Sequence, residues 1–128
     1  MIILDEDIDV HQRARLAAWK VHFRRVGKGV GRFGMKDRTD IVPLLHQLRR
    51  PTFCSRDHGF YDRALCHPGY CLVYLDVRPN EAAAYLRRFL RHTAFRTQAQ
   101  RMSKVVRVRH SGVTWWKIGS QAEHALSW

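Results

Sequence analysis

The sequence has few cysteines, few acidic residues and no long apolar segment. Its three cysteines, Cys54, Cys66 and Cys71, include no CxxC pair, which argues against a disulfide framework and a structural zinc ribbon. No run approaches the roughly 20 consecutive apolar residues that a membrane-spanning helix needs. The first residues lack the basic start and apolar stretch of a secretory signal. These absences predict one cytoplasmic domain over residues 1–128 with reduced thiols and no membrane partner.

Charge is the strongest compositional feature. Lysine and arginine number 23 against 11 aspartate and glutamate residues, and most of the basic residues are arginine. Arginine pairs bidentately with phosphate, and a basic surface gains affinity for polyanions from counterion release. Eight of the 11 acidic residues fall between Asp5 and Asp62, whereas only Glu81 and Glu123 follow Val77. This asymmetry predicts an acidic pocket inside a basic surface.

Apolar periodicity predicts alternating strands and helices. The predicted strands cover residues 2–4, 21–26, 52–55 and 71–75, and a hairpin pairs 105–108 with 113–116. The predicted helices run from a cap at Asp9 to about Lys20, from Asp37 or Asp40 towards Pro51, from Asp57 to Cys66, and onward from a cap near Asn80. Residues 27–34 are predicted as a loop. The alternation indicates an α/β fold with a mostly parallel central sheet and a C-terminal β-hairpin at one edge.

Three acidic residues stand where such a fold would place a ligand. Asp5 follows the first strand, Asp37 or Asp40 begins a helix, and Asp57 follows the third strand. The carboxyl ends of parallel strands meet at one edge of the sheet, so these residues should converge. Clustered carboxylates favour Mg²⁺ or Mn²⁺, which suits phosphoryl chemistry. The alternative is that each aspartate only caps a helix or turn.

Short motifs around these acids resemble the PIN-like domains of VapC-type toxins. The motifs are Ile3-Leu4-Asp5-Glu6-Asp7, then Gly34-Met35-Lys36-Asp37, then Ser55-Arg56-Asp57-His58-Gly59-Phe60. The resemblance implies a three-layer α/β/α fold in which Asp5, Asp37 and Asp57 bind Mg²⁺ or Mn²⁺. Second-rank metal candidates are Glu6, Asp7, Asp40 and Asp62. Asp62 is included because Gly59 stands where relatives often carry an acid.

The same resemblance implies an RNA substrate, phosphodiester hydrolysis and a protein antitoxin that blocks the site. RNA contacts are expected from the basic residues flanking the acids and from arginines of the 78–91 helix: Lys36, Arg38, Arg56, Arg87, Arg88 and Arg91. If Trp115 and Trp116 lie on a strand, one should pack inward and the other could stack on a base. The oligomeric state stays open, with a homodimer as one alternative.

Other functions compete with the nuclease. A non-catalytic basic module would share the arginine-rich surface and bind RNA, or a protein partner, without turnover. Asp5-Glu6-Asp7 also resembles the DxD opening of haloacid dehalogenase-type phosphatases, in which Asp5 would be a nucleophile. Residues 29–34 fit GxGxxG, but they follow the second predicted strand, so a loop is preferred to a dinucleotide site.

Overall fold

The computed structural model describes residues 1–35 and 37–128. Short apolar segments form strands and longer amphipathic segments form helices. The strands are β1 (Ile2–Leu4), β2 (Arg24–Val26), β3 (Gly29–Val30), β4 (Thr52–Ser55), β5 (Cys71–Leu75), β6 (Lys104–Arg109), β7 (Gly112–Lys117) and β8 (His124–Ser127). The helices are α1 (Val10–Ala18), α2 (Arg38–His46), α3 (Ala82–Arg91) and α4 (Gln98–Arg101).

All eight strands join one sheet in the order β3-β2-β1-β4-β5-β6-β7-β8. The strands from β3 to β6 pair in parallel, and β6, β7 and β8 pair antiparallel. The chain moves outward from β1 to β3 and then crosses to β4 on the other side of β1. Such a reversal of strand order opens a crevice at the carboxyl ends of β1 and β4. The prediction of an α/β fold with a mostly parallel sheet is confirmed.

Alternation of side chains along the strands builds a core on each face of the sheet. Leu4 and Cys54 pack on one face with α1 and α3. Ile3 and Phe53, each one residue earlier, pack on the other face with α2. The central strands are therefore covered on both sides, which explains why they read as continuous apolar runs.

Several predicted boundaries agree with the structure. The strands over 52–55 and 71–75 are confirmed, and the hairpin forms with β6 and β7 one residue longer at each end. Asp37, rather than Asp40, caps α2, accepting backbone N–H bonds from Thr39 and Asp40. These boundaries could be predicted from neighbouring residues because each was marked by a dense apolar run or a helix-capping residue.

Other boundaries were wrong. The predicted helix from Asp57 to Cys66 is two 3-10 turns, each begun by its own aspartate cap. The first helix ends at Ala18 because Lys20 adopts a left-handed backbone with φ of 60°. Residues 24–26 alone form the second strand, and residues 29–30 of the predicted loop pair with it. Strand β8 was missed because it is mostly exposed and carries no apolar periodicity.

Across residues 1–35 and 37–128, the structure contains no helix that is both long enough and apolar enough to cross a membrane.

Replacing Gly112 with alanine is expected to disrupt the pairing of β7 with β8. Gly112 has φ of 150°, and an added Cβ would lie 2.1 Å from the Leu126 carbonyl oxygen. We expect a loss of more than about 2 kcal/mol in the free energy of unfolding. Gly119→Ala is the control, since Gly119 also has a positive φ but an open surrounding, and it should cost about 1 kcal/mol. If urea titrations show the same loss in the free energy of unfolding for both variants, the expected clash at Gly112 does not occur.

Candidate functional site

The ends of two neighbouring parallel strands bring the first acidic motif to the third. Strands β1 and β4 pair with Leu4 opposite Cys54, and the Asp5 N–H donates to the Cys54 carbonyl at 2.9 Å. Asp5, just beyond β1, therefore lies beside Ser55, the last residue of β4. Asp5 is only 4% exposed and Ser55 is fully buried. The sheet register thus fixes both side chains at the carboxyl edge.

The Ser55 hydroxyl is the centre of this arrangement. Its Oγ lies 2.7 Å from Asp5 Oδ2 and 3.1 Å from Asp7 Oδ2. It also accepts the Asp57 N–H at 3.0 Å. The Asp7 carboxylate is held in addition by the Arg56 N–H at 3.0 Å. One serine therefore links the carboxylates of Asp5 and Asp7 to the backbone of Asp57, which lies far from them in the sequence.

A serine has a single hydroxyl hydrogen, so Ser55 can donate to only one of the two carboxylates at a time. The other carboxylate oxygen then faces a lone pair of the hydroxyl, and a proton or a cation would relieve that repulsion. Burial and the neighbouring Asp7 charge raise the pKa of Asp5 to about 7. Burial also raises the pKa of Asp7. Without a cation, the pair therefore tends to retain a proton.

Asp57 lies where two cavities adjoin. Its Oδ1 accepts the Gly59 N–H at 2.9 Å and so begins the first 3-10 turn. One cavity, of about 540 Å³, is lined by Asp5, Glu6, Asp7, Phe33 and Asp57. The second, of about 660 Å³, is lined by Asp57 together with Asp37 and Asp62 among others. Asp57 is the residue common to both.

Asp37 is the member of the predicted triad that does not face the Asp5 cavity. Its Oδ1 accepts the Thr39 N–H at 3.0 Å at the start of α2. The Thr39 hydroxyl also donates to Asp37 Oδ1, and this bond, followed by the backbone capping bonds, holds the pKa of Asp37 below its usual range. Within residues 1–35 and 37–128, no three His, Cys, Asp or Glu side chains are arranged as they stand to hold a metal ion. The structure therefore unites Asp5, Asp7 and Asp57 around one cavity and places Asp37 in the next.

The remaining second-rank acids are engaged in other contacts. The Glu6 carboxylate accepts the Gly34 N–H at 2.7 Å and so ties β1 to the 27–35 segment. Asp62 pairs with Arg38 at 2.5 Å, and Asp40 lies 3.9 Å from Arg32. The Asp62 pair also engages Arg38, one of the predicted RNA contacts. Glu6 lines the Asp5 cavity in addition, whereas Asp40 and Asp62 are not among the residues that line it.

The predicted RNA-binding residues lie in separate places. Arg56 lines a cavity of about 620 Å³ with Arg78, Arg109 and His110. Arg87, Arg88 and Arg91 line a different cavity, on α3. The guanidinium groups of Arg87 and Arg88 stack on the rings of Trp19 and Trp128, at 4.6 and 4.7 Å from the ring centroids. Lys36 lies outside the residues that the structure describes.

The tryptophan pair divides as the strand alternation predicts. Trp115 packs against Phe95 with ring centroids 5.2 Å apart. Trp116 lies on the other face of β7, where the Arg63 guanidinium covers its ring at 5.2 Å. A base would have to displace Arg63 to stack on Trp116, so this ring is a weaker candidate for stacking than the sequence indicated.

The chain matches no protein-family model and has no significant match among curated proteins or solved structures. The likeness to PIN-like domains therefore depends on the three short motifs alone.

Sequence reasoning did not identify Ser55 as the link between the acids, and it gave Asp7 only as a second-rank candidate. A signal was present, since Ser55 ends a predicted buried strand where a hydroxyl needs a partner. Arg109 was not among the predicted contacts, because the pairing of β4 with β5 and of β5 with β6 is what brings it beside Arg56 and Arg78. Phe33 was treated as part of a loop, although it lines the acidic cavity.

If these acids bind a divalent cation, Ser55→Ala is expected to weaken that binding about tenfold or more, because outer hydrogen-bond partners orient ligating carboxylates. The variant removes the hydroxyl shared by Asp5 and Asp7 and leaves the Asp57 N–H without its acceptor. The measurement is the Mg²⁺ concentration that half-saturates binding, followed by calorimetry. Ser127→Ala on exposed β8 is the matched control. An unchanged Mg²⁺ requirement in Ser55→Ala would show that the hydroxyl does not position the acids.

Proposed function

We propose that the chain is a Mg²⁺- or Mn²⁺-dependent endoribonuclease with a PIN-like three-layer α/β/α fold. One observation carries the proposal: the carboxylates of Asp5 and Asp7, which follow β1, share the hydroxyl of Ser55 at the end of the adjacent parallel strand, and both line one cavity with Asp57. Buried acids at the carboxyl edge of a parallel sheet, in a chain of net charge +12, suit a divalent cation and a polyanionic substrate.

The carboxylate oxygens at this site are the type of ligand that a hard divalent cation binds. Asp5 and Asp7 offer carboxylate oxygens whose charged forms are penalised by burial, which raises the pKa of both, and the Asp7 charge adds to this penalty at Asp5. A cation would relieve it. Asp5 and Asp57 would hold the cation from the shared cavity, and Asp37 is the third ligand that the PIN-like resemblance implies. Because Asp37 lies in the adjoining cavity, its role is the weakest of the three.

In the proposed hydrolysis, the cation and the residues around it have distinct roles. A bound divalent cation supplies Lewis-acid activation of water and neutralises charge at the scissile phosphate. Ser55 fixes the orientation of Asp5 and Asp7, and the Arg56 N–H holds Asp7 in place. Asp5, whose pKa is raised to about 7, exchanges its proton close to neutral pH. Its deprotonated form is the one that can bind the cation.

Basic cavities on either side of the acids support an extended polyanion. On one side, Arg56, Arg78 and Arg109 line a cavity, and the Nε atoms of Arg56 and Arg109 are buried without a hydrogen-bond partner in the part of the chain that the structure describes. On the other side, a cavity of about 220 Å³ places Arg13, Arg25 and Lys28 beside Asp5. A phosphodiester backbone crossing the acids would meet cations in both directions.

The biological setting that fits this activity is a toxin–antitoxin pair in the cytoplasm. A free ribonuclease with an open basic surface would have to be restrained, and a protein antitoxin covering the acidic cavity would restrain it. Expression of the wild-type chain alone should arrest growth, whereas an inactive variant should not. Growth arrest by both would point to a cause other than RNA cleavage.

The deciding experiment is a titration of the purified protein with Mg²⁺ and Mn²⁺ in the presence of single-stranded and structured RNA. We expect cleavage that rises with the metal concentration and saturates, and that EDTA stops. A labelled phosphoenzyme formed from acetyl phosphate would instead support the DxD-type phosphatase, with Asp5 as nucleophile.

A second candidate is a non-catalytic basic module that binds RNA or a protein partner. It is favoured by the absence, among residues 1–35 and 37–128, of three side chains already arranged around a metal. Under this alternative, RNA binding would be the same with and without Mg²⁺, and no cleavage would occur at any metal concentration. The same titration therefore separates the two functions.

A further inference from the structure

Phe33 is an exposed aromatic ring in a chain that buries most of its phenylalanines. Its side chain is 86% exposed, whereas Phe53, Phe60, Phe89 and Phe95 are at most 1% exposed. An isolated apolar residue on a surface needs no explanation by itself. The position of this ring, however, sets it apart from Val10 and Ile118, the other large apolar side chains exposed in the described residues.

Phe33 stands between the acids and a group of cations. It lines the 540 Å³ cavity with Asp5, Asp7 and Asp57. It also lines the adjoining 220 Å³ cavity, which contains Arg13, Arg25 and Lys28. A ligand that reaches the acids from this side therefore passes one flat apolar face and three positive charges. A nucleotide, with a base and a phosphate, matches both features.

The backbone around the ring is tied to the site. The Gly34 N–H donates to Glu6 Oε1 at 2.7 Å, and the Gly27 N–H donates to the Val30 carbonyl at 2.9 Å. Gly27 allows the Phe33 backbone to approach it closely, since an added Cβ would lie 3.1 Å from the Phe33 Cα. Glu6, next to Asp5 in sequence, thus anchors the segment that presents the ring.

We propose that Phe33 stacks on an unpaired base of single-stranded RNA, with the neighbouring phosphate against Arg13, Arg25 and Lys28. The inference rests on the proposed function for placing the scissile phosphate at the acids, but base stacking itself does not require cleavage. A stacked base must be free of its helix, so the substrate is a single strand or a loop rather than a duplex. The three cations favour this ligand over an apolar segment of a protein partner.

The test is binding of a fluorescein-labelled single-stranded RNA in EDTA, followed by anisotropy. Phe33→Ala and Phe33→Leu should each weaken binding about tenfold, because leucine keeps apolar area but lacks a ring face. Phe33→Trp should retain the affinity, and its fluorescence should change on binding. Ile118→Ala, another exposed apolar truncation, should bind like wild type. Because Phe33 is exposed, none of its variants should lose stability.

The RNA is varied to identify what the ring contacts. With a strand that carries an abasic site at each position in turn, wild type should lose affinity at one position, and Phe33→Ala should show no such loss. Duplex RNA should bind wild type and Phe33→Ala equally. Wild-type affinity in both Phe33→Ala and Phe33→Leu would overturn the inference, as would an equal abasic effect in the two proteins.

The outcome is separable from that of the proposed function. Ring-dependent binding without cleavage in Mg²⁺ or Mn²⁺ would remove the nuclease and leave the stacking contact in place. Metal-dependent cleavage with no effect of the Phe33 variants on affinity would support the nuclease and overturn the stacking contact. If wild type binds no RNA and Phe33 variants instead weaken capture of a protein partner, the ring is a protein contact and the inference fails.

Discussion

Cleavage of RNA by the Asp5→Asn variant is expected to fall at least about 1000-fold below wild type in saturating Mg²⁺. Asparagine keeps the shape of the side chain and can still accept the Glu6 N–H, which donates to Asp5 Oδ1 at 2.8 Å. It removes the negative charge that would hold the cation. Loss of a group that stabilises charge in the transition state commonly costs a factor of about 10²–10³ or more.

The matched control is Asp9→Asn, which also removes one negative charge near the start of the chain. Asp9 caps α1 by accepting the Gln12 N–H at 2.9 Å, and asparagine is an equally good capping residue. This variant should therefore cleave at the wild-type rate. RNA affinity in EDTA should be unchanged or slightly higher in Asp5→Asn, because an anion has been removed beside a polyanion. Full cleavage by Asp5→Asn would remove Asp5 from the site.

Much of the central sheet could be predicted because its signals are local. Strands β4 and β5 are short apolar runs bounded by turn residues, and the caps at Asp9 and Asp37 mark helix starts. The 3-10 turns could not be predicted from periodicity, since each is only one turn long and is set by an aspartate cap. Strand β8 depends on backbone pairing with β7, for which an exposed sequence gives no apolar pattern.

The site was predictable in its location but not in its internal contacts. Strand ends that converge follow from topology, so Asp5 and Asp57 could be placed together before any coordinates. The link through Ser55 depends on which residue of β4 lies next to β1. That register cannot be predicted from the sequence of either segment alone. Whether an aspartate caps a helix or faces a ligand is likewise decided by side-chain rotation, as the capping bonds of Asp37 show.

At pH 8 without divalent cations, Asp5→Asn is also expected to be more stable than wild type. Burial and the Asp7 charge raise the pKa of Asp5 from 3.8 to about 7 in the folded protein. Between these two pH values the folded state holds more protons than the unfolded state, so wild-type stability falls as the pH rises. About three pKa units correspond to at most about 4 kcal/mol. Asparagine, like the protonated acid, is neutral and avoids this loss.

The comparison is made by urea unfolding at pH 4 and pH 8 in EDTA, using wild type, Asp5→Asn and Asp9→Asn. The two variants should differ little at pH 4, and Asp5→Asn should exceed both other proteins at pH 8 by about 2–4 kcal/mol. Adding Mg²⁺ at pH 8 should raise the stability of wild type and leave Asp5→Asn unchanged, because a ligand stabilises only the state that binds it. If the free energy of unfolding changes equally between pH 4 and pH 8 in all three proteins, the charged form of Asp5 does not destabilise the folded state. The reason for expecting a cation beside Asp5 would then be lost.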